Sequence, residues 1–180
     1  MEKPFRIETE RLILEPLTEN AVDFIIAIEQ TPENKIYEME GVQEKEKILE
    51  HFKAFMDEYS NLPDSGAIQF IIKLKDATPI GYVSLVCNWE KTKEWELGYA
   101  LLPKHKHQGY AFESTQAAIH FAFDTLKIHK LMAFVNADNL PSIRLLEKLQ
   151  MKLEGHMREA RLINGMWADE KVYSLLKTDL

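Results

Sequence analysis

Apolar and polar residues recur along this chain with two different periods, and the switches between them divide it into strands and helices. Arg11-Leu12-Ile13-Leu14-Glu15-Pro16-Leu17 reads as a first strand. Over residues 19–30 the apolar positions Val22, Ile25, Ile26 and Ile28 fall at helical spacing, with Thr18 placed to cap the helix. A second helix is predicted over residues 43–59, with Ile48, Phe52, Phe55 and Met56 on its apolar stripe. The polar segment 31–41 between the two helices is a loop of the kind that borders a substrate site. Two strand-like runs, residues 68–74 and 79–86, are joined by Lys75-Asp76-Ala77-Thr78, which predicts a hairpin. A fourth strand (residues 95–102), a long helix (111–126), a fifth strand (130–135) and a shorter helix (139–149) follow. Two strands, 156–163 and 167–176, close the chain around an Asn164-Gly165 turn. There is no internal repeat, low-complexity stretch or Pro/Gly/Ser-rich linker. The pattern therefore predicts one domain over residues 1–180 of the α+β class, a mostly antiparallel sheet interrupted by one strand-helix-strand crossover.

Two of the predicted helix starts carry chemistry. Lys106-His107-Gln108-Gly109-Tyr110-Ala111 lies between the fourth strand and the long helix. A small-residue turn that opens a helix presents unpaired main-chain N–H groups at the positive end of the helix dipole, a ready site for phosphate. Gly109 and Ala111 there allow close approach of the main chain. The second start, Asn136-Ala137-Asp138-Asn139-Leu140-Pro141-Ser142, follows the fifth strand; Asn139 and Ser142 either touch a ligand or cap the helix. A Rossmann-type nucleotide site is disfavoured, because no Gly-x-Gly-x-x-Gly follows a strand near the N-terminus.

Composition narrows the classes further. With 180 residues, 46% hydrophobic and 28% charged, the chain can build a substantial core. A net charge of −7 argues against a nucleic-acid partner. The single cysteine, Cys87, forms no internal disulfide and no zinc-ribbon pattern, which points to a reducing cytoplasm. Met1-Glu2-Lys3-Pro4-Phe5-Arg6 lacks the apolar core of a signal peptide, and no apolar run approaches membrane-spanning length. His105 and His107, with His120 and His129 nearby, find no third ligand at metal-site spacing, so no metal is expected. Trp89, Trp95 and Trp167 are read as core filler, with a substrate-facing wall as the other possibility for Trp167.

Several segments together resemble a known family. They are Glu8-Thr9-Glu10-Arg11-Leu12-Ile13-Leu14, Glu96-Leu97-Gly98-Tyr99 with Gln108-Gly109-Tyr110-Ala111, Asn139-x-x-Ser142-x-x-x-x-Glu147-Lys148, and Ile163-Asn164-Gly165-x-Trp167-x-Asp169 with Tyr173-Ser174. In this order and spacing the chain resembles the GNAT N-acetyltransferases, and more narrowly their RimJ/RimL-like branch. The resemblance implies a GNAT fold, with a mixed, mostly antiparallel seven-stranded sheet, about four helices, and a splay between the fourth and fifth strands. It also implies acetyl-CoA as co-substrate without a metal, direct attack by a primary amine in a ternary complex, and a possible homodimer. The amine belongs to a protein N-terminus or a small molecule.

The resemblance assigns roles residue by residue. Main-chain N–H groups of Lys106, His107, Gln108, Gly109, Tyr110 and Ala111 would hold the CoA diphosphate. The pantetheine arm would enter the splay near Leu101 and Leu102, with Asn139 and Ser142 beside it, and an N–H of the fourth strand would stabilise the oxyanion. The attacking amine must lose a proton, and Glu96 is the preferred base, against the reading of a glutamate that merely faces solvent or pairs with a neighbour. Asp169 and Glu159 are weaker candidates for binding a cationic substrate. Three departures stand out: Lys106 where Arg or Gln is usual, Leu146 where some members carry an acid tyrosine, and Gln150-Met151 where Gly-Phe is usual. Ser142 is then the nearest proton donor, or the low-pKa thiolate leaves without a dedicated acid; Tyr110 is expected to pack, and Gln150 must either turn left-handed or end its helix differently. The departures also admit an alternative, a CoA-binding module without turnover.

Overall fold

The computed structural model describes residues 5–59 and 66–180; of the N-terminal hexapeptide read above, residues 1–4 lie outside the described residues. The elements in chain order are β1 (Ile7–Glu8), β2 (Leu12–Pro16), α1 (Val22–Glu29), α2 (Lys45–Tyr59), β3 (Ala67–Leu74), β4 (Pro79–Trp89), β5 (Glu94–Leu101), α3 (Tyr110–Asp124), β6 (Lys130–Asn136), α4 (Leu140–Lys148), β7 (Lys152–Ile163) and β8 (Met166–Leu176). The strands form one eight-stranded sheet in the order β1-β2-β3-β4-β5-β6-β8-β7. Only β5 and β6 run parallel, and α3 is the crossover between them. The architecture is the expected α+β sheet with four α-helices, and the short β1, paired through Ile7 with Leu14, makes the eighth strand.

The period-two pattern sorts side chains onto two faces. On one face Leu12, Leu14, Phe70, Ile72, Leu85 and Leu131 pack beneath α3 and α4 in the larger core. Phe121 of α3 sits centrally there, with ring centroids 5.2 Å from both Phe5 and Phe70 in edge-to-face contact. On the opposite face Ile71 packs with Leu17, Ile25, Ile26, Ile48 and Phe52 under α1 and α2. β3 is central and covered on both faces, so its run Ala67-Ile68-Gln69-Phe70-Ile71-Ile72 is almost continuously apolar.

The structure corrects several local expectations. Residues 19–21 form a 3₁₀ turn ahead of α1, and Thr18 makes no side-chain cap; its carbonyl accepts the Ala21 N–H at 2.9 Å instead. β7 begins at Lys152, not at residue 156, because an edge strand exposed along most of its length shows no alternation to read. Gln150 does adopt a left-handed φ of 64°. Its N–H bonds to Glu147 O, and that of Met151 to Leu146 O, while buried Leu146 and Met151 supply the apolar contact of a Schellman ending. Holding a non-glycine residue there costs about 1 kcal/mol. Trp89 and Trp167 are mostly exposed, so of the three tryptophans only Trp95 packs against the core.

Phe70 is fully buried and braces both Phe121 and the sheet. Phe70→Ala should lower unfolding stability by about 3–5 kcal/mol, read from the urea midpoint at unchanged slope.

Candidate active site

The parallel pair β5·β6 is joined through only three residue pairs, Glu94 with Lys130, Trp95 with Leu131 and Glu96 with Met132. Beyond Glu96 the strands part: Leu97 to Leu101 pair with β4 alone, and Ala133 to Asn136 with β8 alone. The Leu102 N–H donates to Ile80 O at 2.9 Å. Ladder alternation then turns the main-chain groups of Ala100 and Gly98 toward β4 and those of Leu97, Tyr99 and Leu101 into the gap. Main-chain groups inside a protein require partners, so this gap suits an extended chain that brings its own amides. Of the two positions expected to line it, Leu101 offers its N–H to the gap, whereas that of Leu102 is already engaged.

At the end of β5 the chain passes through a 3₁₀ turn, Pro103–His105, into the phosphate-like loop. His107 (φ 61°) and Gly109 (φ 83°) both take left-handed conformations, and Gly109 caps α3 without a side chain. Among the described residues the main-chain N–H groups from His107 to Phe112 have no acceptor. Gln108 spends its amide on Lys104 O at 2.9 Å, and Tyr110 packs against the larger core. Lys106 is half-buried, and burial pulls its pKa down against the opposing pull of Glu33. Burial also lowers that of His105, whose buried Nε2 meets no partner among the described residues. Among those residues no group of three or more His, Cys, Asp or Glu side chains is placed to hold a metal.

Arg11, which the sequence reading used only as a motif residue, holds this loop in shape. Its Nη1 donates to Gln108 O at 3.0 Å, its guanidinium carbon stands 4.7 Å from the centre of the Tyr110 ring, and Nε meets Glu113 Oε2 at 2.6 Å. Glu113 also accepts from the Arg11 N–H at 2.8 Å and from the Thr9 hydroxyl at 2.6 Å. A β-carbon at Gly109 would lie 3.2 Å from Arg11 Nη2, so any other residue there would be strained by φ and would press the guanidinium aside by a few tenths of an ångström.

Across the gap, Asn139 caps α4: its Oδ1 accepts the Ser142 N–H at 3.3 Å. The Ser142 hydroxyl stands beside the Tyr99 phenol; burial raises the Tyr99 pKa and the serine partly offsets it. Leu146 is buried in the core and supplies no donor.

Glu96 pairs with Val86 and therefore shares the α1–α2 face with Tyr82, Ser84 and Gly98. Its Oε2 accepts the Asn88 amide at 2.9 Å. On the same face the buried Glu170 takes Arg161 Nε at 2.9 Å, and Glu29 takes the Tyr82 hydroxyl at 2.9 Å and the Lys35 ammonium. Glu38 lies among these groups. Burial raises its pKa, Lys35 and Arg161 oppose that, and Glu29 and Glu170 add to it. Asp169, by contrast, is consumed by its own hairpin: Oδ1 accepts the Glu159 N–H at 2.9 Å and Oδ2 meets His156 Nε2 at 2.7 Å. Those bonds lower its pKa and brace the bulge where Glu159 turns left-handed. Glu170, one residue on, is the acid that shares the Glu96 face. The phase of β8 carried that signal, since the register pairs Glu170 with Asn136, on the same face of the sheet as Met132 and Glu96.

A sheet opened between two parallel strands, with an amide-rich helix start at one lip and a carboxylate on the adjoining face, offers an extended slot of unpaired main-chain groups beside an ionisable side chain. Comparison with known proteins gives the family. The model of the acetyltransferase (GNAT) domain matches residues 11–152, and the chain belongs to that family. It is 29% identical to an uncharacterized N-acetyltransferase of Bacillus subtilis over 95% of this chain and 96% of that one. It is 35% identical to the ribosomal protein uS5-alanine N-acetyltransferase of Escherichia coli, over 46% of this chain and 43% of that protein. The fold matches the crystal structure of spermidine N-acetyltransferase from Vibrio cholerae in complex with CoA and spermine, with a TM-score of 0.84 at 23% identity over 95% of this chain and 98% of that one. The chain is thus an acyltransferase whose acyl donor is acetyl-CoA and whose acceptor is an amine.

Burial pushes the Glu113 carboxyl up, but the bonds from Thr9 and Arg11 outweigh it and hold it below its ordinary 4.5. A depressed carboxyl stabilises the fold above its unfolded pKa, and the gain disappears as pH falls through the folded value. Glu113→Gln should therefore lower the thermal midpoint at pH 7, and the difference from wild type should shrink as pH falls below 4.5 and vanish once it has passed the depressed folded value, as measured by calorimetry.

Proposed function

We propose that acetyl transfer proceeds by direct attack of a primary amine on acetyl-CoA in a ternary complex, with Glu96 as general base and the start of α3 as diphosphate grip. The observation that carries this reading is the coincidence of three features. They are the gap that opens after Glu96, the free N–H groups from His107 to Phe112, and the Glu96 carboxylate at the last paired position of β5. His107, Gln108, Gly109, Tyr110 and Ala111 hold the diphosphate through the main chain, whereas the Lys106 N–H, expected to share that role, is engaged by Pro103 O at 3.1 Å. The pantetheine arm lies along Leu97, Tyr99 and Leu101. Glu96 takes the ammonium proton, directly or through a water, and the amine nitrogen attacks the thioester carbon. The C–S bond breaks as the tetrahedral adduct collapses, and the CoA thiolate draws a proton from the Ser142–Tyr99 side, where burial keeps the phenol protonated. The surplus proton of the adduct nitrogen returns to that side, so that amide and thiol leave neutral and the one net proton stays on Glu96. Asn139 supports this side by fixing the start of α4.

The acceptor is a protein N-terminus or a small-molecule amine, approached from the α1–α2 face, whose rim includes residues 31–41. We further read the protein as a cytoplasmic homodimer that binds no nucleic acid. Support comes from its single cysteine, its charge of −7, and the exposed Leu153, Met157, Leu162, Met166 and Trp167 of the β7–β8 hairpin. No helix among the described residues is long and apolar enough to cross a membrane.

Thiol release from acetyl-CoA with a panel of amines and N-terminal peptides tests the reading. Glu96→Gln should lower kcat by about 10²-fold or more while leaving the Kd for acetyl-CoA within about twofold. Rates unchanged in that variant at every pH would remove Glu96 as base. Gly109→Val should weaken acetyl-CoA binding at least about tenfold, since it strains φ and displaces Arg11. Tight acetyl-CoA binding without thiol release across the whole panel would instead favour a CoA-binding module.

A further inference from the structure

A cavity of about 290 Å³ lies between the sheet and α1–α2, on the Glu96 face. We infer that this cavity is the acceptor subsite and that it takes a primary amine carried on one compact apolar or aromatic group, with a single cationic centre. The inference rests on the transferase reading above and deepens it.

Three observations carry it. The first is continuity with the reaction centre. Ser84 lines the cavity, and its Oγ lies 2.6 Å from where a β-carbon of Gly98 would stand, so the cavity floor reaches the part of β5 that has left β6. Val86, also on the wall, is the direct partner of Glu96 across β4·β5. The second is lining chemistry. Ile48, Phe52, Phe55 and Val86 give apolar and aromatic walls, while the one wall carboxylate, Glu29, already accepts the Tyr82 hydroxyl and pairs with Lys35. A second ammonium entering the cavity would find no unpaired carboxylate among the described lining residues. The neutral oxygens there, including the unpartnered Gln43 Oε1, can accept a hydrogen bond but do not neutralise a full charge, so it would lose hydration with only partial compensation. The third is size and outside charge. The volume sits at the small end of ligand sites, which start at roughly 300 Å³ and are mostly apolar with few polar groups. On the same face, Lys35 and Arg161 are paired with Glu29 and Glu170, which leaves Glu38 and Glu96 as negative charge without a cationic partner of their own among the described residues, so the surroundings draw a cation toward Glu96 while the interior accepts its uncharged body. This arrangement favours an arylalkylamine over a polyamine or a peptide.

Steady-state thiol release by the full-length protein with 2-phenylethylamine, spermidine and an alanine-terminated peptide tests this. The aromatic amine should exceed the other two in kcat/KM by at least about tenfold. Val86→Trp should raise its KM about tenfold with the acetyl-CoA Kd unchanged, and His51→Trp, placed on the exposed side of α2 at the opposite wall, should act in the same direction. Preference for spermidine or the peptide, or an unchanged KM in both variants while the enzyme still turns over, overturns the subsite and leaves the transferase reading standing. No thiol release with any amine overturns both.

Discussion

Everything functional in this protein depends on the parting of β5 from β6. Strand edges inside a protein carry rows of amide groups that require partners, and most folds cover or pair them. Here the parallel ladder stops after Glu96, and the edge it exposes is continuous with an amide-rich loop at one end and a carboxylate at the other. The energetic deficit of that open edge underlies the proposed binding site: an extended arm with its own donors and acceptors would restore the missing ladder without any particular side chain. On that reading the arm also places the acyl group, because it is held in register by the backbone that carries Glu96.

The loop that ends this edge is under strain, with left-handed residues at His107 and Gly109, and it is held from a distance in sequence. Arg11 reaches it from just ahead of β2 and joins Gln108, Tyr110 and Glu113 into one cluster, with Thr9 completing the carboxylate's shell. The first strands of the fold therefore shape the helix start on which the cofactor reading depends. A positive group beside Gly109 also adds to the field at the helix N-terminus, which suits a diphosphate. This gives the chain a basic side chain at the loop even though Lys106 is half-buried and turned toward Glu33.

The two faces of the sheet divide the work. One holds the large core under α3 and α4 and fixes the geometry of the gap; the other carries the smaller core under α1 and α2, with a cavity and the Glu29, Glu38, Glu96 and Glu170 carboxylates. Pairing of Arg161 with Glu170 and of Lys35 with Glu29 keeps that face from being a plain acidic patch, and the remaining negative charge lies close to Glu96. Division of this kind lets the acceptor side vary without disturbing the slot.

Much of this was legible in the residues before any coordinates. The period-two runs gave the strands, the 3.6-residue stripes the helices, and Gly109 and Asn139 marked helix starts whose backbone chemistry follows from local geometry alone. Gln150 illustrates the same locality, since a helix end without glycine leaves a left-handed turn as one of few choices. Boundaries slipped where the edge strand β7 has no buried face to impose alternation, and at Thr18, where a backbone bond replaced the side-chain cap. What sequence could not show were contacts between distant segments: Arg11 on the loop, Ser84 against Gly98, and Glu170 in place of Asp169 on the Glu96 face. Local pattern is set by near neighbours and the period of burial. The site is set by sheet register and by the point where two strands part, which only the packed sheet determines.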